Sequence, residues 1–139
     1  MKKSFGFTLI EVMVVVVILG ILAAVIVPKV MSRPDQARQV RAQQDVMALE
    51  NALELYRLDN GFYPSTEQGL EALVKKPAAA PLPLHWKIGG YLKRVPVDPW
   101  GQPYHYLQPG EHGEIDISSE GKPGSTEEGG EVIGNWDKT

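Results

Sequence analysis

The chain contains no cysteine. Disulfides therefore cannot staple it, although small exported domains commonly depend on them. Histidine is scarce too. His85, His105 and His112 fall into neither a metal-ligand pattern nor a triad pattern, and no glycine-rich phosphate loop or paired-carboxylate cleft is recognisable. The sequence thus reads as a non-enzyme. Basic charge is in deficit, with 14 Lys and Arg against 17 Asp and Glu and a net charge of −3. That balance argues against nucleic acid as a partner, which needs a basic footprint. What the chain does have is an apolar run near its start. Between residues 12 and 27 no side chain is polar.

That run begins close behind one acid, Glu11. A carboxylate at membrane depth costs roughly 2.5 kcal/mol or more on insertion scales. It persists only where something offsets it, so Glu11 is a functional candidate. Residues 7–27 number 21, and about 20 apolar residues span a bilayer as a helix. In lipid the backbone must satisfy its own hydrogen bonds, which makes the segment helical despite its many valines. Lys2 and Lys3 on the short flank predict a cytoplasmic N-terminus, with the chain after Pro28 across the membrane. An ordinary single-pass anchor with a hydrated Glu near its end is the simpler alternative.

A secretory signal peptide is cut after its apolar region. Here a short basic leader, residues 1–6, precedes the greasy stretch. A cut after Gly6 would keep the apolar segment and make Phe7 the first residue. The run Gly6-Phe7-Thr8-Leu9-Ile10-Glu11 resembles the processing site of the type IV pilin and pseudopilin superfamily. The resemblance implies a prepilin peptidase that cleaves after Gly6 and N-methylates Phe7. It also implies that Glu11 meets the N-terminal ammonium of a neighbouring subunit in a filament. Opposite charges brought together in an apolar bundle offset part of each other's desolvation cost.

Pro28 removes one helical hydrogen bond and clashes with the preceding turn. It either kinks or opens the stem or ends the helix at the membrane surface, and with Glu11 it is an assembly candidate. Beyond it, residues 35–58 hold no Gly or Pro, which favours continuation. Val46, Leu49, Leu53 and Tyr56 fall at helical spacing on one face, and Met47 and Leu58 widen it. A continuous helix over 7–58 would be roughly 78 Å long. Its first half is apolar all round and needs a bilayer or copies of itself.

Asp59-Asn60-Gly61 ends the helix with turn chemistry. Thr66 is placed to cap a short second helix carrying Leu70, Leu73 and Val74. The stretch 77–83 is a proline-rich connector. Residues 104–107 and 114–117 read as strands joined by a hairpin over 108–113, and 131–136 adds a third. A small antiparallel sheet on the amphipathic half of the helix buries both apolar faces. This reads as an α+β fold, and the resemblance implies its type IV pilin-like form. It divides into leader 1–6, transmembrane or filament-core helix 7–28, amphipathic helix 29–60, and loop and sheet region 61–139.

Three further stretches narrow the resemblance: 63–70 (YPSTEQGL), 96–104 (PVDPWGQPY) and 134–136 (GNW). They are similar to the major pseudopilin family of type II secretion systems. That implies an inner-membrane protein with a periplasmic C-terminal domain, polymerising into a pseudopilus that drives export through the outer membrane. Its implied partners are its own copies, the prepilin peptidase, minor pseudopilins, an inner-membrane assembly platform and membrane lipid. A type IV pilus subunit, a minor tip pseudopilin and a membrane-anchored module that never polymerises are the alternatives. Apart from the resemblance, 96–104 reads as a proline-rich loop in which Asp98 bonds nearby amides and Trp100 plugs the sheet edge.

Residues 111–131 carry seven acids against one base, Lys122, with five glycines. Calcium takes six to eight oxygens, which such a loop could supply. The resemblance implies calcium held here through Asp side chains. This chain has Ser118, then Glu120 where Asp is usual, with Glu127 or Glu128 as the distal substitute and Val132 where an Asp commonly stands. The alternative is a solvated acidic loop held by hydrogen bonds and Trp136.

Overall fold

The computed structural model describes residues 6–124 and 132–137, with only the backbone described over 25–32. One helix, α1, runs Leu9–Asn60. It passes through Pro28 without ending, as the residue pattern beyond it predicts. It starts two residues later and ends two residues later than the expected 7–58. Gly61 closes it. Its φ is +83°, which suits glycine, and its amide donates to the Arg57 carbonyl at 2.7 Å. By contacts the chain divides into two units, Met1–Ala37 and Arg38–Thr139.

In the first unit every described side chain from 6 to 24 is exposed, among them Ile10, Met13, Val17 and Leu22. The described apolar run ends at Ala24, about 24 Å of helix from Leu9 at 1.5 Å per residue. Among the described residues no helix is long and apolar enough to cross a membrane. The expected span 7–28 includes positions 25–28, and the side chain of Pro28 lies outside the description.

The second unit builds a core on one face of α1. Val46, Leu49, Ala52, Leu53 and Tyr56 meet Leu70, Leu73, Tyr104, Ile115 and Ile117. Met47 and Leu58 do not widen that face, being 62% and 79% exposed. Met47 is one residue, about 100° around the helix, from Val46, and Leu58 is about 200° from Tyr56. Small Ala42 and Ala52 extend the buried face instead.

The sheet has the order β1-β2-β3, all antiparallel. Strand β1 is His105–Leu107, β2 is Asp116–Ser119 and β3 is Ile133–Gly134. In register, Tyr106 faces Ile117 and Ser118 faces Gly134. The second strand lies two residues later than the expected 114–117, because residues 110–116 close a turn on the Asp116 side chain. The third strand is only the two-residue core of the expected 131–136.

The expected second helix is a 3-10 helix of four residues, Leu70–Leu73, and Thr66 does not cap it. Gly69, with φ +63°, precedes it and offers no side chain. The Thr66 hydroxyl instead donates to the Gln108 carbonyl at 3.0 Å and accepts from its amide at 2.9 Å. That ties the segment to the end of β1. Ser65 and Gln68 form the reciprocal pair, each side chain accepting from the other's amide.

Candidate functional site

The N-terminal end of α1 is an exposed turn. Gly6 and Phe7 precede the helix, and Phe7 is 87% exposed. Nothing lies within 4 Å of the place a Gly6 Cβ would occupy, so packing does not demand glycine there. Thr8 caps the helix. Its hydroxyl accepts the Glu11 amide at 3.2 Å, and Glu11 Oε2 accepts the Thr8 amide at 3.0 Å. This is a reciprocal capping box, and it satisfies two donors that a helix start otherwise leaves unmet. The acid also lies where the helix dipole favours it. Gly6, Phe7 and Glu11 thus share one exposed end. Sequence reasoning picked the acid and missed Thr8, although the T-x-x-E spacing before an apolar run was legible.

The hairpin end of the second unit holds the described cation candidates, Ser118 and Glu120. Ser118 is half-buried in β2, paired between His105 and Gly134. Glu120 is exposed, its Oε1 3.1 Å from His105 Nε2. Glu127 and Glu128 lie outside the described residues. Among the described residues no group of three or more His, Cys, Asp or Glu is placed to hold a metal ion. Carboxylate and hydroxyl oxygens suit calcium by type, but the described pair provides one of each against the six to eight required.

What organises this end is hydrogen bonding. Buried Asp98 accepts the amides of Trp100 and Gln102 through Oδ1, at 3.0 and 2.7 Å, and the Ser119 hydroxyl through Oδ2 at 2.8 Å. Ser119 in turn accepts the Gly121 amide. The expected amide bonding of Asp98 is therefore present. Trp100 is half-buried, and its Nε1 has no partner among the described residues.

Asp116 accepts the amides of Glu111 and His112 and pairs with His112 Nδ1 at 2.9 Å. Burial alone would push its carboxyl up, but those bonds, led by the His112 ring, hold it below the usual carboxylate range. The His112 ring stacks on Trp136 at 3.9 Å and 11°. A Cβ on Gly134 would stand 2.5 Å from the Trp136 indole, so this stack needs glycine. Asn135 extends the ladder beyond β3 with its side chain, which accepts the Ile117 amide and donates to the Ile115 carbonyl. Sequence reasoning did not identify that role.

Tyr104 and Tyr106 bolt the sheet down. Tyr104 donates to Asp45 on α1 at 2.7 Å, and Tyr106 donates to the Pro64 carbonyl at 2.6 Å. Burial, with the Asp45 carboxylate second, raises the Tyr104 phenol well above the ordinary tyrosine range. These groups are structural acceptors and donors already paired with one another.

Comparison with known proteins agrees with both ends of the chain. The family described as type II secretion system (T2SS), protein G matches residues 29–136. A prokaryotic N-terminal methylation motif matches residues 1–27. The type II secretion system core protein G of Pseudomonas aeruginosa is 58% identical, over 98% of this chain and 97% of the relative. That of Vibrio cholerae is 55% identical, over 98% and 94%. The crystal structure of the major pseudopilin from the type 2 secretion system of enterohaemorrhagic Escherichia coli is similar with a TM-score of 0.68 and 46% identity. It covers 76% of this chain and 88% of that one. The expected α+β pilin-like architecture is borne out by that likeness. With a family match over more than half its length and relatives above half identity, this chain belongs to the protein G family of the type II secretion system.

Proposed function

We propose that the chain is a major pseudopilin, a structural subunit that polymerises into the periplasmic pseudopilus of type II secretion. The observation that carries this is the first turn of α1. It sets one acid, Glu11, at the head of a helix whose described side chains are otherwise apolar and exposed up to Ala24. Such a surface is stable only against lipid or sister stems. Glu11 then limits the choice. In lipid it is a cost, and beside a neighbour's ammonium the cost is partly offset.

The open surroundings of Gly6 support a peptidase reading that glycine after the basic leader, with Phe7 as the new, methylated N-terminus. The same arrangement supports a single-pass inner-membrane precursor, N-terminus cytoplasmic and second unit periplasmic. Partners beyond its own copies are the peptidase, minor pseudopilins and an inner-membrane platform. Calcium binding through Ser118, Glu120, Glu127 and Glu128 is a separate proposal. Titration calorimetry of the detergent-solubilised mature chain with millimolar calcium tests it, and neither heat nor a shift in melting temperature would remove it.

The experiment for the main proposal is Glu11→Ala. Membrane insertion should persist while short filaments, seen by electron microscopy after overexpression, disappear. Normal filament yield would refute the pairing role, and long surface fibres from the unaltered chain would favour a pilus subunit instead.

A further inference from the structure

Asn60-Gly61 is the only Asn-Gly pair in the chain, since Asn51 precedes Ala and Asn135 precedes Trp. Glycine after asparagine leaves the peptide nitrogen unshielded by a side chain. That nitrogen can attack the Asn60 side-chain amide carbon. The N–Cγ bond forms, the Cγ–Nδ2 bond breaks, and Nδ2 leaves as ammonia with the proton of the peptide nitrogen. Water then opens the cyclic imide at either carbonyl, giving aspartate or isoaspartate. One water is consumed, one ammonia is released, and nothing is oxidised or reduced.

The folded chain ties up both reacting groups. The Gly61 amide donates to the Arg57 carbonyl at 2.7 Å, closing α1. Asn60 Nδ2 donates to the Tyr56 carbonyl at 3.0 Å and to the Tyr91 hydroxyl at 3.2 Å. Asn60 Oδ1 accepts the His85 amide at 2.9 Å. Ring closure requires the side chain to turn away from all three partners. Two of them, His85 and Tyr91, belong to the loop 85–91. The Tyr91 hydroxyl itself donates to Asp59 Oδ2 at 2.7 Å, and its ring lies against Tyr56 and Trp86. Asn60 is half-buried and Gly61 exposed, so water reaches the pair. Hydrogen bonds, not exclusion of water, hold the reaction back.

We infer that Asn60 is a deamidation site gated by the loop 85–91, suppressed while the loop is clasped and released when it lifts. The rate then follows the fraction of chains that are locally open. The product cannot rebuild the clasp. A carboxylate has no N–H for the Tyr56 carbonyl or the Tyr91 oxygen, and it adds a negative charge beside Asp59. A chain that lingers open is altered irreversibly, while a closed one is spared.

The test ages the full chain in detergent micelles in mildly alkaline buffer, over a series of urea concentrations. Peptide mapping by mass follows replacement of NH by O at Asn60, with Asn51 and Asn135 as controls in the same digest. In the unaltered chain, reaction at Asn60 should rise in step with amide exchange at His85 below the unfolding transition. It should be at least about tenfold faster in the unfolded chain, the worth of one hydrogen bond or more. Tyr91→Phe keeps the ring and removes one partner of Nδ2. Folded Tyr91→Phe should react several-fold faster at Asn60, with Asn51 unchanged. Asn60→Asp, carrying the charge of the product, should raise exchange at the His85 and Tyr91 amides several-fold. Equal rates at Asn60 in folded and unfolded chains, or a rate that ignores exchange at His85, overturns the gate. So does a folded Tyr91→Phe chain that ages as the unaltered one does. Unchanged exchange in Asn60→Asp would overturn the irreversible weakening of the clasp.

Discussion

Asp98 shows how much a single side chain does in the small head, the second unit Arg38–Thr139. It is 2% exposed and serves three donors, two amides and the Ser119 hydroxyl. Replacing it by Ala leaves all three without that acceptor, the Ser119 hydroxyl fully buried and the two amides part-buried. A buried unmet donor costs about 1–3 kcal/mol and one that water can reach costs less, so Asp98→Ala should destabilise the second unit by roughly 2–4 kcal/mol. Asp98→Asn should cost less, since its Oδ1 still accepts the two amides. Thermal unfolding followed by tryptophan near-UV signal separates the two, and equal melting temperatures for Ala and wild type would refute the account. Asp116 adds a pH dependence. Its carboxyl ionises lower in the folded state than the unfolded value of about 3.9. Its stabilisation is therefore complete above that value and drains away as pH falls through the folded value. Asp116→Asn should flatten the acid limb of the stability curve below about pH 4 and leave the shape near neutrality unchanged.

Among elements, α1 was the most legible because helical spacing is a strong signal. Val46, Leu49, Leu53 and Tyr56 are buried as the spacing says. Apolarity alone misassigned Met47 and Leu58, which point about 100–200° away from that face. The contrast is testable. Leu53→Ala should cost about 2–5 kcal/mol by leaving a cavity, while exposed Met47→Ala should stay within about 0.5 kcal/mol. A Met47 penalty as large as that of Leu53 would show the face is drawn wrongly. Strand existence was legible too, but the boundaries were not. Residues 114–115 are alternating and apolar enough to read as strand, yet the Asp116 carboxylate gathers the preceding amides into a turn. The Thr66 error has a similar cause. A hydroxyl before an apolar run suggests a cap, but Gln108, 42 residues away, claims it. Local pattern carries no information about such partners.

For the whole molecule, the N-terminal candidates are the ones a sequence can group by itself, because Gly6, Phe7 and Glu11 lie within six residues and are all exposed. The bonds around Asp98, Asp116 and Asn135 were mostly illegible, because each joins segments distant along the chain. This difference bears on the last prediction, which concerns the state of the entire chain. Gly6 has open space around it, so a large side chain there should leave both the second unit and membrane insertion undisturbed. Any loss must then arise from processing. A Gly6→Trp chain should accumulate with the leader attached, six residues heavier than the mature form, allowing for the substitution itself. Phe7 would then lack a free amine, and Glu11 would have no ammonium to meet in a sister stem. Filaments should be absent although the head melts at the wild-type temperature. Filaments assembled from chains whose intact mass still includes Met1 would mean that the amine at Phe7 is not what Glu11 needs.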